Sequence, residues 1–239
     1  MRPKPIIFSL LLTLITTATA AQPPPHDTIT LTRADATLAA DHYPAETDAP
    51  VILLLHMLNS ERAAWDPLIP ELLDAGYALL NIDMRGHGES GGTRDWDVII
   101  NDVAFGWVGW LLEEGHLGDG GLAIMGGSIG ANVAIISCAQ VEFCRGAIAL
   151  SPGLDYRGVK PAPALVDGLA DRAALLVAAQ HDASSSAAIR QMFLNAKGDV
   201  SARLYRGRAH GTRLFDSEYE SVSGLILAWL AEHFSSDDQ

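Results

Sequence analysis

The sequence predicts an α/β fold, a mostly parallel sheet of roughly eight strands with helices on both faces. Three observations predict it. Short runs such as residues 50–56 (PVILLLH) and 173–179 are apolar at almost every position, as expected of strands buried on both faces. Between such runs lie stretches whose apolar residues recur three and four apart, the helical spacing. The two kinds of segment alternate along most of the chain. With 239 residues, 49% hydrophobic and 19% charged, the chain is long and apolar enough for one domain with a sizeable core.

In chain order, the first twenty residues stand apart. Arg2 and Lys4 precede an apolar run from Ile6 to Ile15, and Ala18 to Ala20 form an A-x-A site. This describes a cleavable secretory signal at residues 1–20 and a periplasmic or secreted protein. An uncleaved anchor is the alternative, although the run is short for a bilayer. Residues 21–27, with Pro23-Pro24-Pro25, read as a stiff leader, and residues 28–239 as the domain.

Residues 29–32 and 37–43 suggest a hairpin, and 50–56 a buried strand. A helix over 63–75 should stop at Gly76, followed by a strand over 77–82. Asp95 or Asp97 can cap a helix reaching about residue 114, with Ile99, Val103, Trp107, Trp110 and Leu111 on one face. Strands follow at 121–125, 146–150, 173–179 and 201–205. Helices are expected at 131–139, briefly at 164–169, then at 187–196 and 217–234. Trp65, Trp96, Trp107 and Trp110 read as mostly core, with Trp65 at most edging a pocket.

The formal net charge of −13 argues against nucleic acid and anionic membranes as partners, because phosphate binding needs clustered Lys and Arg. It does not identify a substrate. Cys138 and Cys144 lie on either side of one helix-to-strand connection. In an oxidising compartment they can pair as a disulfide; two unpaired core thiols are the alternative. Two cysteines alone cannot make a structural zinc site, and neither a metal nor a cofactor is expected.

The chemistry concentrates at Gly126-Gly127-Ser128-Ile129-Gly130, a G-x-S-x-G stretch between a buried strand and an apolar helix. A sharp turn there lifts the Ser128 hydroxyl clear of the backbone, and the helix N-terminus favours developing negative charge. A serine hydroxyl needs a base, and the base an orienting acid. Ligands of such sheets bind beyond the carboxyl ends of the strands. Asp182 follows the 173–179 strand and His210 the 201–205 strand, so the chain order is Ser, Asp, His. Asp155 is the rival acid, His181 a competing base, and Asp182 has the alternative role of capping the next helix. The oxyanion donors expected are the backbone N–H of Ile129 and, from the turn after residue 56, that of Leu58 or Met57.

These motifs resemble the α/β-hydrolase superfamily, and within it the dienelactone hydrolase and bacterial serine esterase branches. Asp83-Met84-Arg85-Gly86-His87-Gly88-Glu89-Ser90 is similar to a D-x-R-G-H-G-x-S segment of that superfamily. Leu55-His56-Met57-Leu58 is similar to its H-G-x oxyanion turn, with Met57 in place of glycine. Ser128 stands where true dienelactone hydrolases keep a cysteine. The resemblance covers roughly residues 35–235. It implies an α/β-hydrolase fold without a large lid domain, a structural role for Arg85 and His87, and a fairly open site lined by Met57, Leu58 and Leu154. The function expected is a carboxylesterase-like serine hydrolase acting on a small-molecule ester through an acyl-enzyme on Ser128. A peptidase or amidase of the same fold, or a non-catalytic binding homologue, are the alternatives.

Overall fold

The computed structural model of the chain describes residues 24–33, 35–170 and 172–234; the proposed signal segment lies outside them. Eight strands form one sheet: β1 (Asp27–Arg33), β2 (Ala36–Tyr43), β3 (Val51–Leu55), β4 (Ala78–Ile82), β5 (Leu122–Gly127), β6 (Cys144–Leu150), β7 (Ala173–Ala179) and β8 (Val200–Tyr205). Their order is β1-β2-β4-β3-β5-β6-β7-β8. The hairpin β1–β2 and the β2–β4 pair are antiparallel, and all later pairs are parallel.

The continuous apolar runs are explained by two cores, one on each face. In β3, Val51, Leu53 and Leu55 point into one cluster, while Ile52 and Leu54 point into the other. Successive strand side chains face opposite ways, so a strand covered on both sides is apolar at nearly every position.

The helices are α1 (Ile69–Asp74), α2 (Trp96–Asn101), α3 (Val108–Glu113), α4 (Ile129–Gln140), α5 (Ala183–Asn195) and α6 (Leu214–Phe234). The expected helix over 63–75 is broken. Arg62–Trp65 is a 3-10 turn, and α1 starts only at Ile69, with Pro70 in its first turn. Pro67 and Pro70 lack the N–H that a through-going helix needs. Trp65 is fully buried, in line with its reading as a core residue.

Asp95 caps α2, its side chain accepting from the N–H groups of Asp97 and Val98. Between α2 and α3, Asp102–Trp107 winds as a π-helix. The buried positions Ile99, Val103, Trp107 and Leu111 step by four. In an α-helix each such step overshoots one turn by about 40°. Wider π turns hold that stripe against the sheet. α5 and α6 both begin earlier than the periodicity predicts, at Ala183 and Leu214. Residues between β6 and β7 contribute only an isolated Tyr156–Val159 bridge and a short π turn, Ala164–Gly168. No large lid domain is present among the described residues. Nor, among these, is any helix long and apolar enough to cross a membrane.

Candidate active site

The sheet places the site. From β3 the chain runs to β4 on one side, while β5 lies on the other, so the connections diverge between β3 and β5. Ligands of such sheets bind at this divergence, outside the carboxyl strand ends. The turn His56-Met57-Leu58 leaves β3 there, and Ser128 leaves β5.

Ser128 has φ 55 and ψ −120, a conformation rare for a residue with a Cβ. The turn is tight enough that its glycines are obligatory. A Cβ on Gly126 would meet the backbone of Gly130, and one on Gly130 would lie 2.7 Å from the Leu55 carbonyl oxygen. The Ser128 N–H is tied to the Leu150 carbonyl at 2.7 Å, which anchors the elbow to β6. Ile129 is the first residue of α4, so its N–H has no place in the intrahelical ladder.

The structure brings Ser128, His210 and Asp182 together. His210 Nε2 lies 2.7 Å from Ser128 Oγ, and His210 Nδ1 lies 2.7 Å from Asp182 Oδ2. A carboxylate only accepts, so Nδ1 carries the proton and Nε2 presents its lone pair to the serine hydroxyl. The Asp182 side chain is 8% exposed and that of His210 37%. The carboxylate is thus shielded, while the imidazole reaches the solvent side. Asp182 also occupies the cap position of α5, yet its side chain makes no capping bond. Its Oδ2 goes to His210 instead.

The rivals lie elsewhere. Asp155 is exposed, accepts from the Gly158 N–H at 2.7 Å and stands 3.5 Å from Lys160 Nζ. His181 is exposed, held by its backbone N–H to the Gly207 carbonyl. Arg85 is buried and forms ion pairs with Asp102 and Asp35, while His87 Nδ1 bonds the Arg85 carbonyl and the ring packs edge-on to His56. Both serve the loop between β4 and α2.

His56 shapes the turn after β3. Its Nε2 accepts the Met84 N–H at 3.0 Å, so Nδ1 is the protonated nitrogen and donates to the Met57 carbonyl at 2.7 Å. Burial pushes the His56 imidazole down to about 4, keeping it neutral. In a planar trans peptide the C=O and the next N–H point in opposite directions. By holding the Met57 carbonyl, His56 turns the Leu58 N–H the other way. Met57 and Leu58 are half-buried, and Leu154 is exposed in the loop after β6.

Two residues carry no signal that the motifs alone would reveal. The Tyr156 ring stands edge-on to the His210 ring, centroids 6.2 Å apart, with its hydroxyl 3.0 Å from Ser185 Oγ. Asn132, fully buried on α4, donates to the Gly153 and Val159 carbonyls and accepts the Gly153 N–H. It ties the Tyr156 loop to the helix that follows Ser128. A polar Asn amid the apolar 129–139 run is the one hint of either.

Cys138 and Cys144 are joined as a disulfide, Cα atoms 5.3 Å apart, across the α4–β6 connection. Among the described residues, no group of three or more His, Cys, Asp or Glu is placed to hold a metal ion.

An elbow at the divergence of the sheet, with an acid and a base from later strand ends, is the arrangement of the α/β hydrolases. The alpha/beta hydrolase fold family matches residues 50–219, and the chain belongs to that family. An esterase of Pyrococcus furiosus superimposes with a TM-score of 0.78 at 20% identity, covering 91% of this chain and 96% of that one. An alpha/beta hydrolase from a Penicillium species gives 0.73 at 18% identity, with 88% and 99% covered. A dienelactone hydrolase from Anabaena variabilis gives 0.70 at 17%, with 89% and 100% covered. No curated protein sequence matches the chain.

Proposed function

We propose that this protein is a serine hydrolase that cleaves carboxylic esters through an acyl-enzyme on Ser128. The single observation that carries the reading is the unbroken chain Ser128 Oγ–His210 Nε2 and His210 Nδ1–Asp182 Oδ2, both at 2.7 Å, on a strained strand-to-helix turn. His210 takes the proton as Ser128 Oγ attacks the ester carbonyl, then returns it to the departing alkoxide. Asp182 holds the imidazole and offsets its charge while it is protonated. The N–H groups of Ile129 and Leu58 face the developing oxyanion, the second aimed by the hold of His56 on the Met57 carbonyl. Water then releases the acyl group by the same route. The likeness to an esterase supports a small-molecule ester as substrate, and the lack of a large lid between β6 and β7 among the described residues supports a fairly open site suited to small or extended acyl groups.

Hydrolysis of p-nitrophenyl acetate and butyrate tests the reading, with a fluorophosphonate label located by mass spectrometry. Label on Ser128 and at least about a thousandfold loss in Ser128→Ala are expected. Label on another residue, or undiminished turnover in the variant, would sink it.

Residues 1–20 are further proposed to act as an export signal, giving a periplasmic or secreted enzyme. The Cys138–Cys144 bond supports this, since disulfides persist in oxidising compartments. The intact mass of the exported protein should correspond to a chain starting at Ala21; a full-length mass would refute it.

A further inference from the structure

Met57 stands between the two loops that carry Ser128 and His210. A Cβ on Gly127, the residue before the nucleophile, would lie 3.1 Å from Met57 Cγ. One on Gly211, the residue after the base, would lie 3.0 Å from the same Cγ and closer still to Sδ. The thioether is therefore packed directly on the backbone of both loops, and it fits only because both positions are glycine.

Met57 is also the most exposed methionine among the described residues. Met84, Met125 and Met192 are 1%, 0% and 2% exposed, whereas Met57 is only half-buried. The two cysteines are bonded to each other. Two-electron oxidants attack whichever thioether they can reach. Among the described residues that selects the one beside the nucleophile.

We propose that Met57 is an oxidation site through which hydroperoxides switch the enzyme off; this rests on the hydrolase reading above. The Met57 sulfur lone pair takes the terminal oxygen of the hydroperoxide as the O–O bond breaks. The remaining oxygen leaves, with the proton, as water or an alcohol. Methionine becomes sulfoxide and the peroxide is reduced. The product is larger, polar and chiral at sulfur. Over Gly211 no room exists for a methyl group, so none exists for the added oxygen on that side. Either the oxygen projects from the open side of the sulfur, placing a polar group beside the Ser128 and His210 loops, or Gly211 moves and carries His210 away from Ser128.

Hydrogen peroxide titration of the purified protein tests this, with sulfoxide at each methionine followed by mass spectrometry and p-nitrophenyl acetate hydrolysis measured on the same samples. Met57 should oxidise before Met84, Met125 and Met192. Hydrolysis should fall at least tenfold in step with Met57 sulfoxide, and a methionine sulfoxide reductase should restore it. In Met57→Leu, compared with its own untreated rate, the same peroxide dose should leave hydrolysis intact. Full turnover with Met57 oxidised, oxidation of Met57 no faster than of the buried three, or equal loss in Met57→Leu would each overturn the proposal. An untreated protein that neither turns over nor labels at Ser128 would instead overturn the hydrolase reading, and this proposal with it.

Discussion

Asp182 shows how one side chain is given one task where two were open to it. Its position at the start of α5 suits a cap, and its Oδ2 reaches His210 at 2.7 Å instead. Asp155 bonds the Gly158 N–H and neighbours Lys160, not His210. Asp182→Asn should therefore lower kcat by a factor on the order of 10⁴, because the amide favours the wrong imidazole tautomer. Asp155→Asn should change kcat less than threefold, and the reverse ranking in p-nitrophenyl acetate kinetics would reassign the acid. Ser128 and His210 were legible in the sequence. Glycines around a serine after a buried strand mark a sharp turn that presents the hydroxyl, and a histidine past a later strand end completes the chain order. Tyr156 and Asn132 were not legible, because each matters through a partner remote in sequence: His210 for the first, and the Gly153 and Val159 backbone for the second.

At the level of elements, loops decide what the sheet can do. The segment that flanks His210 is held by three hydrogen bonds to one buried amide, that of Asn132. Asn132→Ala leaves the buried Gly153 N–H and two carbonyls without that partner. It should cost about 3 kcal/mol, at the upper end for an unsatisfied buried group. Urea denaturation measures this, with kcat falling as the Tyr156 ring loses its seat; a cost below about 0.5 kcal/mol, the range of ordinary surface substitutions, would contradict the tether. The central strands β3 to β7 were predicted within a residue or two because burial on both faces makes their sequence uniform. Helix boundaries were predicted less well. The two prolines that split residues 62–74 and the π turn at Asp102–Trp107 respond to packing against the sheet, which a single-helix periodicity does not contain.

Over the whole molecule, one buried imidazole links the site to stability. His56 holds the loops after β3 and β4 together as a neutral group, with its protonation pushed down from 6.5 to about 4. A depressed value means that, between those limits, the unfolded chain binds a proton that the folded chain does not. Stability from this source is complete above about pH 6.5 and is lost as pH falls toward 4, by roughly 3 kcal/mol in total. Urea unfolding at pH 7 and pH 4.5 should show the loss, and His56→Gln should flatten it; an unchanged slope in that variant would move the origin elsewhere. The sequence by itself determined that the chain builds a parallel, doubly covered sheet, and that Ser128, an acid and His210 follow strand ends in that order. Those features are written in local composition: apolar runs, glycines and chain order. Only the tertiary structure decided that Asp182 rather than Asp155 meets His210, that Tyr156 flanks it, and that the Met57 thioether rests on Gly127 and Gly211. Each of these is a choice between side chains of similar local character. It is made by which strand ends the sheet order brings side by side, and no stretch of sequence carries that information alone.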